Sequence, residues 1–167
     1  NQHIEKILYV AKTESKQIEL EKSKVDLKVL LELVRENIFL KHQKEIHIDI
    51  QLDRNYSIQA DEFHFYNVIY NIMDNAVKYS PQTPQLTIQS KESSKGLALK
   101  FTDNGCGIPE SDLPFVFDKF YRVAREDSKD IEGFGIGLSY VKRVCEWHKW
   151  KVDAKNNEEK GITITIQ

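Results

Sequence analysis

Between Leu27 and Leu52 the hydrophobic pattern changes its period, and that change limits what the chain can build. Leu27, Leu30, Leu31, Val34, Ile38 and Phe39 recur at helical spacing and define a broad amphipathic helix from Asp26 to about His42. Ile46, Ile48, Ile50 and Leu52 then alternate with His47, Asp49 and Gln51, the period of a strand with one buried face. A helix hands over to a sheet.

The same two periods recur downstream. Asp61 opens a second helix in which Phe65, Val68 or Ile69, Ile72 and Ala76 keep helical spacing until Ser80-Pro81 stops it. Strands are expected near 86–90 and 97–103 with a turn over 91–96, and Gly137 opens a third helix that ends near His148. Two closing strands, 151–155 and 162–166, are joined through Asn156-Asn157 and Gly161. The order implies a two-layer α/β (α+β) sandwich, a mixed sheet of about five strands with three helices on one face. Before this domain, Ile4, Leu8, Ala11 and Ile18 form a narrow helical stripe. That stripe is either a solvated linker or the stump of a helical hairpin, and the boundary is expected between residues 24 and 25.

Composition removes several function classes. With 24 Lys and Arg against 26 Asp and Glu in 167 residues, the net charge is −2 and no basic face emerges. One soluble globular domain is expected, without direct nucleic-acid binding. Cys106 and Cys145 form no CxxC pair and the five histidines share no metal-ligand spacing, so neither a disulfide framework nor a structural zinc site is expected, and a reducing compartment is. No apolar run approaches the roughly 18 residues of a membrane helix, so this piece is expected to make no membrane contact even if cut from a membrane receptor.

Three clusters carry the chemistry. On the second helix Asn71, Asn75 and Lys78 stand at i, i+4 and i+7 and share one stripe. Asparagine is a poor helix-interior residue, and two in register suggest a carboxamide oxygen for a hard cation with a lysine for an anion. The plain alternative is solvated asparagines with Lys78 complementing the helix C-terminus. At the end of a strand, Asp103-Asn104-Gly105-Cys106-Gly107-Ile108-Pro109 offers an acidic acceptor and two glycines beside which a flat ligand can lie, or else a simple Asx turn. Gly133-Phe134-Gly135-Ile136-Gly137-Leu138 runs three glycines into a helix start, where unpaired N–H groups and the dipole favour phosphate, a hinge being the alternative. It spells neither a Walker loop nor GxGxxG.

In this order and spacing the clusters resemble the ATP-binding catalytic domain of sensor histidine kinases. The superfamily also holds gyrase-type topoisomerase, heat-shock chaperone and mismatch-repair ATPases, which share the Bergerat-type ATP-binding fold. Asn71 to Tyr79 resembles the N box, Asp103-x-Gly105-x-Gly107 the first glycine box, Phe117-x-x-Phe120-Tyr121-Arg122 the F box and Gly133-x-Gly135-x-Gly137-Leu138 the second glycine box. The resemblance implies that Asn75 coordinates Mg²⁺, that Asn71 and Lys78 face the phosphates of ATP, and that Tyr79 lines the pocket. It further implies that Asp103 accepts from the adenine amino group beside Gly105, Gly107 and Ile108. Gly135, Gly137 and Leu138 would follow the phosphate chain, Arg122 would reach the γ-phosphate, and Phe120 and Gly133 would join the contacts under a lid over 119–132.

The hydrolytic members of the superfamily carry a glutamate one turn before the metal-binding asparagine. Here that position is Asn71, which cannot accept a proton at neutral pH. The resemblance therefore favours phosphoryl transfer to a protein histidine over hydrolysis. The family's acceptor histidine is followed by an acidic residue and, three positions on, a proline, and His3-Ile4-Glu5 lacks that arrangement. The acceptor is expected upstream of residue 1, on the chain's own dimerisation hairpin, in a homodimeric, cytoplasmic kinase portion that passes phosphate to a response regulator. An ATP-hydrolysing switch and a non-catalytic nucleotide-sensing domain are the alternatives.

Overall fold

A computed structural model of the protein describes residues 19–80, 83–94, 96–124 and 133–167. The stripe on Ile4 to Ile18, His3, and positions 125–132 of the expected lid lie outside the described residues.

The elements run β1 (Lys22–Asp26), α1 (Leu27–His42), β2 (His47–Gln51), β3 (Ser57–Asp61), α2 (Glu62–Lys78), β4 (Gln85–Ser93) and β5 (Gly96–Asp103). A 3₁₀ turn (Leu113–Phe115), α3 (Gly137–His148), β6 (Val152–Asn156) and β7 (Ile162–Ile166) follow. Five strands form one sheet in the order β2-β4-β5-β7-β6, with β2 parallel to β4 and every other pair antiparallel. This is the expected mixed sheet.

The sequence reading missed a second sheet, in which β1 pairs antiparallel with β3 from Lys22↔Asp61 to Asp26↔Ser57. Lys-Ser-Lys-Val-Asp and Ser-Ile-Gln-Ala-Asp contain too few apolar residues to show a period. Their pairing is long-range, and β1 runs across the boundary expected after residue 24. Each strand ends in an aspartate that caps the next helix: Asp26 Oδ1 accepts from Val29 N–H at 3.0 Å and Asp61 Oδ1 from His64 N–H at 3.0 Å. A cap of this kind stabilises by about 1 kcal/mol. The β4–β5 turn is also tighter than the expected 91–96, because Gly96 at φ +110° lets the strands continue to its edge.

α2 is the central helix, flanked by α1 and α3, and all three bury their apolar stripes over the sheet. Phe65, Val68, Ile69, Ile72 and Met73 of α2 meet Leu31, Val34 and Ile38 of α1, Val141 and Val144 of α3, and Leu86, Ile88, Phe101 and Ile164 of the sheet. Each such side chain contributes about 1.5–3 kcal/mol by leaving water. His148, at the end of α3, is buried and serves packing: its Nε2 accepts from Asp61 N–H at 3.0 Å and its Nδ1–H donates to Val144 O at 2.9 Å. Burial holds this imidazole below its ordinary range, the neutral form that can accept. Because α2 is fixed on both flanks and beneath, its polar edge has one orientation, toward the loop after β5 and the start of α3.

Candidate functional site

That edge borders a cavity of about 290 Å³. Asn71, Asn75 and Lys78 of α2 reach it together with Tyr79, and Asp103, Gly105, Gly107 and Ile108 line it from the end of β5. Arg122, Gly133, Gly135, Gly137 and Leu138 complete the wall. Of the residues expected to hold the nucleotide, Phe120 alone is not in the lining. Its backbone has φ +65° and its ring is exposed, while its backbone N–H donates to Gly135 O at 2.8 Å. Together with the Arg122 Nη1 bond to Gly133 O at 2.9 Å, this closes the two ends of the intervening loop.

The α2 wall presents a neutral oxygen from Asn71. Asn71 Nδ2 donates back to Asn67 O at 2.7 Å, which orients its Oδ1 toward Gly137 at the start of α3. A Cβ on Gly137 would lie 2.8 Å from that oxygen, so only glycine lets the helix start approach Asn71 and Asn75. The start of α3 differs from those of α1 and α2: its N-cap is Ile136, and no side chain caps it. Its first-turn N–H groups border the cavity, and N–H groups of this kind, with the positive end of the dipole, can hold an anion.

The loop after β5 is held by its neighbours. Tyr79 O accepts from Cys106 N–H at 3.1 Å, and Asp103 Oδ1 accepts from Gly105 N–H at 2.8 Å and Ile162 N–H at 3.1 Å. Burial pushes the Asp103 carboxyl above its ordinary range, against the opposing pull of those two N–H bonds. Ile72, Ala76, Ile162 and Ile164 add an apolar floor suited to a flat ring.

Several functional positions were illegible in the sequence. Asp74 also lines the cavity and is buried, with Lys78 Nζ 2.6 Å from its Oδ2 and Lys41 Nζ and His42 Nε2 each 2.8 Å from its Oδ1. Burial pushes this carboxyl up, but the bonds from Lys41, Lys78 and His42 outweigh it and hold it below the ordinary range. The end of β6 and the turn after it, which in the sequence read only as a turn, clamp the β5 loop. Asn156 Oδ1 accepts from Ile108 N–H at 2.8 Å while its Nδ2 donates to Ile108 O at 2.6 Å, and Asn157 Nδ2 donates to Asp103 O at 2.9 Å. The only advance signal was the pair Asn156-Asn157 with Gly161 four positions beyond it.

The family of histidine kinase-, DNA gyrase B- and HSP90-like ATPases matches residues 60–167, from the end of β3 through every wall of the cavity. The chain belongs to that family. Its relatives include the sensor protein RprX of Bacteroides fragilis, 35% identical over 169 residues that cover 98% of this chain and 32% of that protein. The signal transduction histidine-protein kinase ArlS of Staphylococcus aureus is 31% identical over 128 residues, 74% of this chain and 28% of that one. The chain thus spans roughly a third of the length of these relatives. Among solved structures, the mycobacterial sensor histidine kinase MprB superposes with a TM-score of 0.75 at 23% identity, covering 87% of this chain and 95% of that one. Full-length ShkA in complex with AMPPNP gives 0.81 at 23% identity over 96% and 33%. The fold is that of histidine kinase ATP-binding domains in this ATPase family. No described helix is long and apolar enough to cross a membrane.

Proposed function

We propose that this chain is the ATP-binding catalytic domain of a two-component sensor histidine kinase. In this reading it places the γ-phosphoryl group of Mg-ATP for transfer to a histidine on a dimerisation hairpin, from which a response-regulator aspartate receives it. The single observation that carries the reading is the convergence of the two carboxamides of α2, the Asp103 carboxylate and the uncapped start of α3 on one cavity.

Asp103, half-buried and oriented by two backbone N–H groups, accepts a hydrogen bond from the exocyclic amine of adenine. Ile72, Ala76 and Ile164 cover the ring. Gly135, Gly137 and Leu138 follow the phosphate chain at the start of α3, and Lys78 and Arg122 supply positive charge around it. A divalent cation fits the donor set: among the described residues no three His, Cys, Asp or Glu side chains converge on a metal cage, whereas Asn75 offers one neutral oxygen. Mg²⁺, which keeps most of its water and prefers phosphate oxygens, needs little more. When bound it would neutralise the charge that develops on the transferred phosphoryl group.

The acceptor imidazole is itself a nucleophile, so this chain's residues need only align and neutralise. Hydrolysis would need a base. Among the described residues, Asp74 and Asp103 are the acidic side chains in the lining, and both are committed, Asp74 to three basic groups and Asp103 to two backbone donors. Asn71 cannot serve. The piece is read as the cytoplasmic part of its parent.

The test supplies the cognate acceptor hairpin and Mg-ATP, with Asn75→Ala as control. Phosphohistidine on the hairpin with little free phosphate is expected; steady phosphate release by the isolated chain would favour a hydrolytic switch, and no transfer would favour a nucleotide sensor. Asn71→Glu should raise phosphate release, and an unchanged rate would remove the argument from the missing base.

A further inference from the structure

Lys78 faces two calls on its charge: it lines the cavity, yet its ammonium lies 2.6 Å from Asp74 Oδ2. A lysine tied to a single buried carboxylate is slow to leave, because its departure strands a desolvated charge. Asp74 is not held by Lys78 alone. Its Oδ1 is 2.8 Å from both Lys41 Nζ and His42 Nε2, in the last turn of α1 and outside the cavity lining. Lys41 is fixed further by the Tyr70 ring, 5.2 Å from Nζ to the centroid. The side chains of Asp74, Lys78 and Lys41 are 9%, 27% and 42% exposed, so the pairing grades from a buried anion outward to a solvated cation.

We infer that Asp74 is a positioning residue: paired at Oδ1 with the Lys41 ammonium and hydrogen-bonded there to His42, it holds Lys78 at the cavity wall and still lets that ammonium turn to the phosphates of a bound nucleoside triphosphate. The inference rests on the nucleotide reading above. Its consequence is that α1, which touches no part of the cavity, sets phosphate affinity from behind α2. Remove Lys41 and the carboxylate keeps Lys78 as its principal cation. The ammonium then stays on Asp74, and the triphosphate loses a partner. α1 is also the helix that directly follows β1 and the N-terminal segment, so a shift of its last turn changes how firmly Asp74 retains Lys78.

The test is a double-mutant cycle on the 167-residue chain. A non-hydrolysable ATP analogue with Mg²⁺ is titrated calorimetrically into wild type, Lys41→Met, Lys78→Met and the double variant, with thermal unfolding as a check that each is folded. Lys41→Met should weaken binding about 3- to 10-fold, the size of a coupling between neighbouring charges. In the Lys78→Met background the same change should have no further effect, whereas Lys41→Arg should bind as wild type. Equal losses from Lys41→Met in both backgrounds, or none in wild type, would overturn the inference while leaving the nucleotide reading intact. If Lys41→Met unfolds, Lys41→Gln in the same cycle decides on the same criterion. A wild-type chain that takes up no analogue overturns the nucleotide reading and this inference with it.

Discussion

Asp103 and Asp74 line the same cavity and are shifted in opposite directions. Asp103 stands at the end of β5 among glycines and isoleucines, with backbone N–H groups as its partners, and burial raises its pKa. Asp74 is also buried, yet three basic side chains hold it low. Burial alone therefore does not set the character of a carboxylate here; partners do. A carboxylate without cations suits reading a neutral donor such as an aromatic amine. One surrounded by cations suits holding positive charge beside phosphates.

The largest expected effect comes from disturbing the backbone behind Asp103. Gly161 has φ +83°, and a Cβ there would sit 2.0 Å from Asp103 O, so Gly161→Ala should destabilise the fold by about 2–4 kcal/mol and abolish nucleotide binding. Chemical unfolding measures this, and a variant as stable as wild type would show that the turn yields freely.

Next is Asp103→Asn. The amide oxygen keeps the bonds from Gly105 and Ile162, but the amide nitrogen turns a donor toward the adenine amine. ATP affinity should fall by about 2–3 kcal/mol, read by calorimetry, while thermal stability is not lowered. The stability that Asp103 contributes is full below the ordinary carboxylate range and is lost as pH rises through its elevated value, so the melting advantage of Asp103→Asn should grow from about pH 4 upward. An advantage that shrinks with rising pH would reverse the assigned shift.

Asp74→Asn should behave in the opposite sense. It leaves three basic groups facing one amide and should cost about 1–2 kcal/mol of stability, less than for a sealed pair because Lys41 is part-solvated. The Asp74 contribution is present above the ordinary carboxylate range and is lost as pH falls through its depressed value. The gap between wild type and Asp74→Asn should therefore close below about pH 4 in melts taken across pH. The smallest effect is expected from Asn156→Ala. Losing the two-way bond to Ile108 should cost about 1 kcal/mol in stability and loosen the β5 loop, seen as faster amide exchange at Ile108 with Asp103 still competent.

The helices and the five-stranded sheet were legible because their periods are long: Phe65 to Ala76 on α2 and Ile46 to Leu52 at β2 repeat often enough to be read. β1 and β3 were not, because a strand of five residues with one or two inward side chains carries almost no period and gains its order from a partner far along the chain. The same division runs through the site. Asn71, Asn75, Asp103 and the glycines before α3 stand out as residue types that a helix interior, a strand end or a helix start does not otherwise favour. Asp74 and Asn156 do not: aspartate before an asparagine on a helix and asparagine at the end of a strand are unremarkable until α1 and the β5 loop are seen against them.

What the sequence determined by itself was therefore local: periods, breaks, and residue types out of keeping with their element, each set by bonds and contacts within a few positions. Only the tertiary structure decided which carboxylate meets cations and which meets backbone amides. The partners Lys41 and Asp74, or Asn156 and Ile108, are separated by long stretches of chain, and the packing of α1 on α2 and of β7 beside β5 brings them within hydrogen-bond reach.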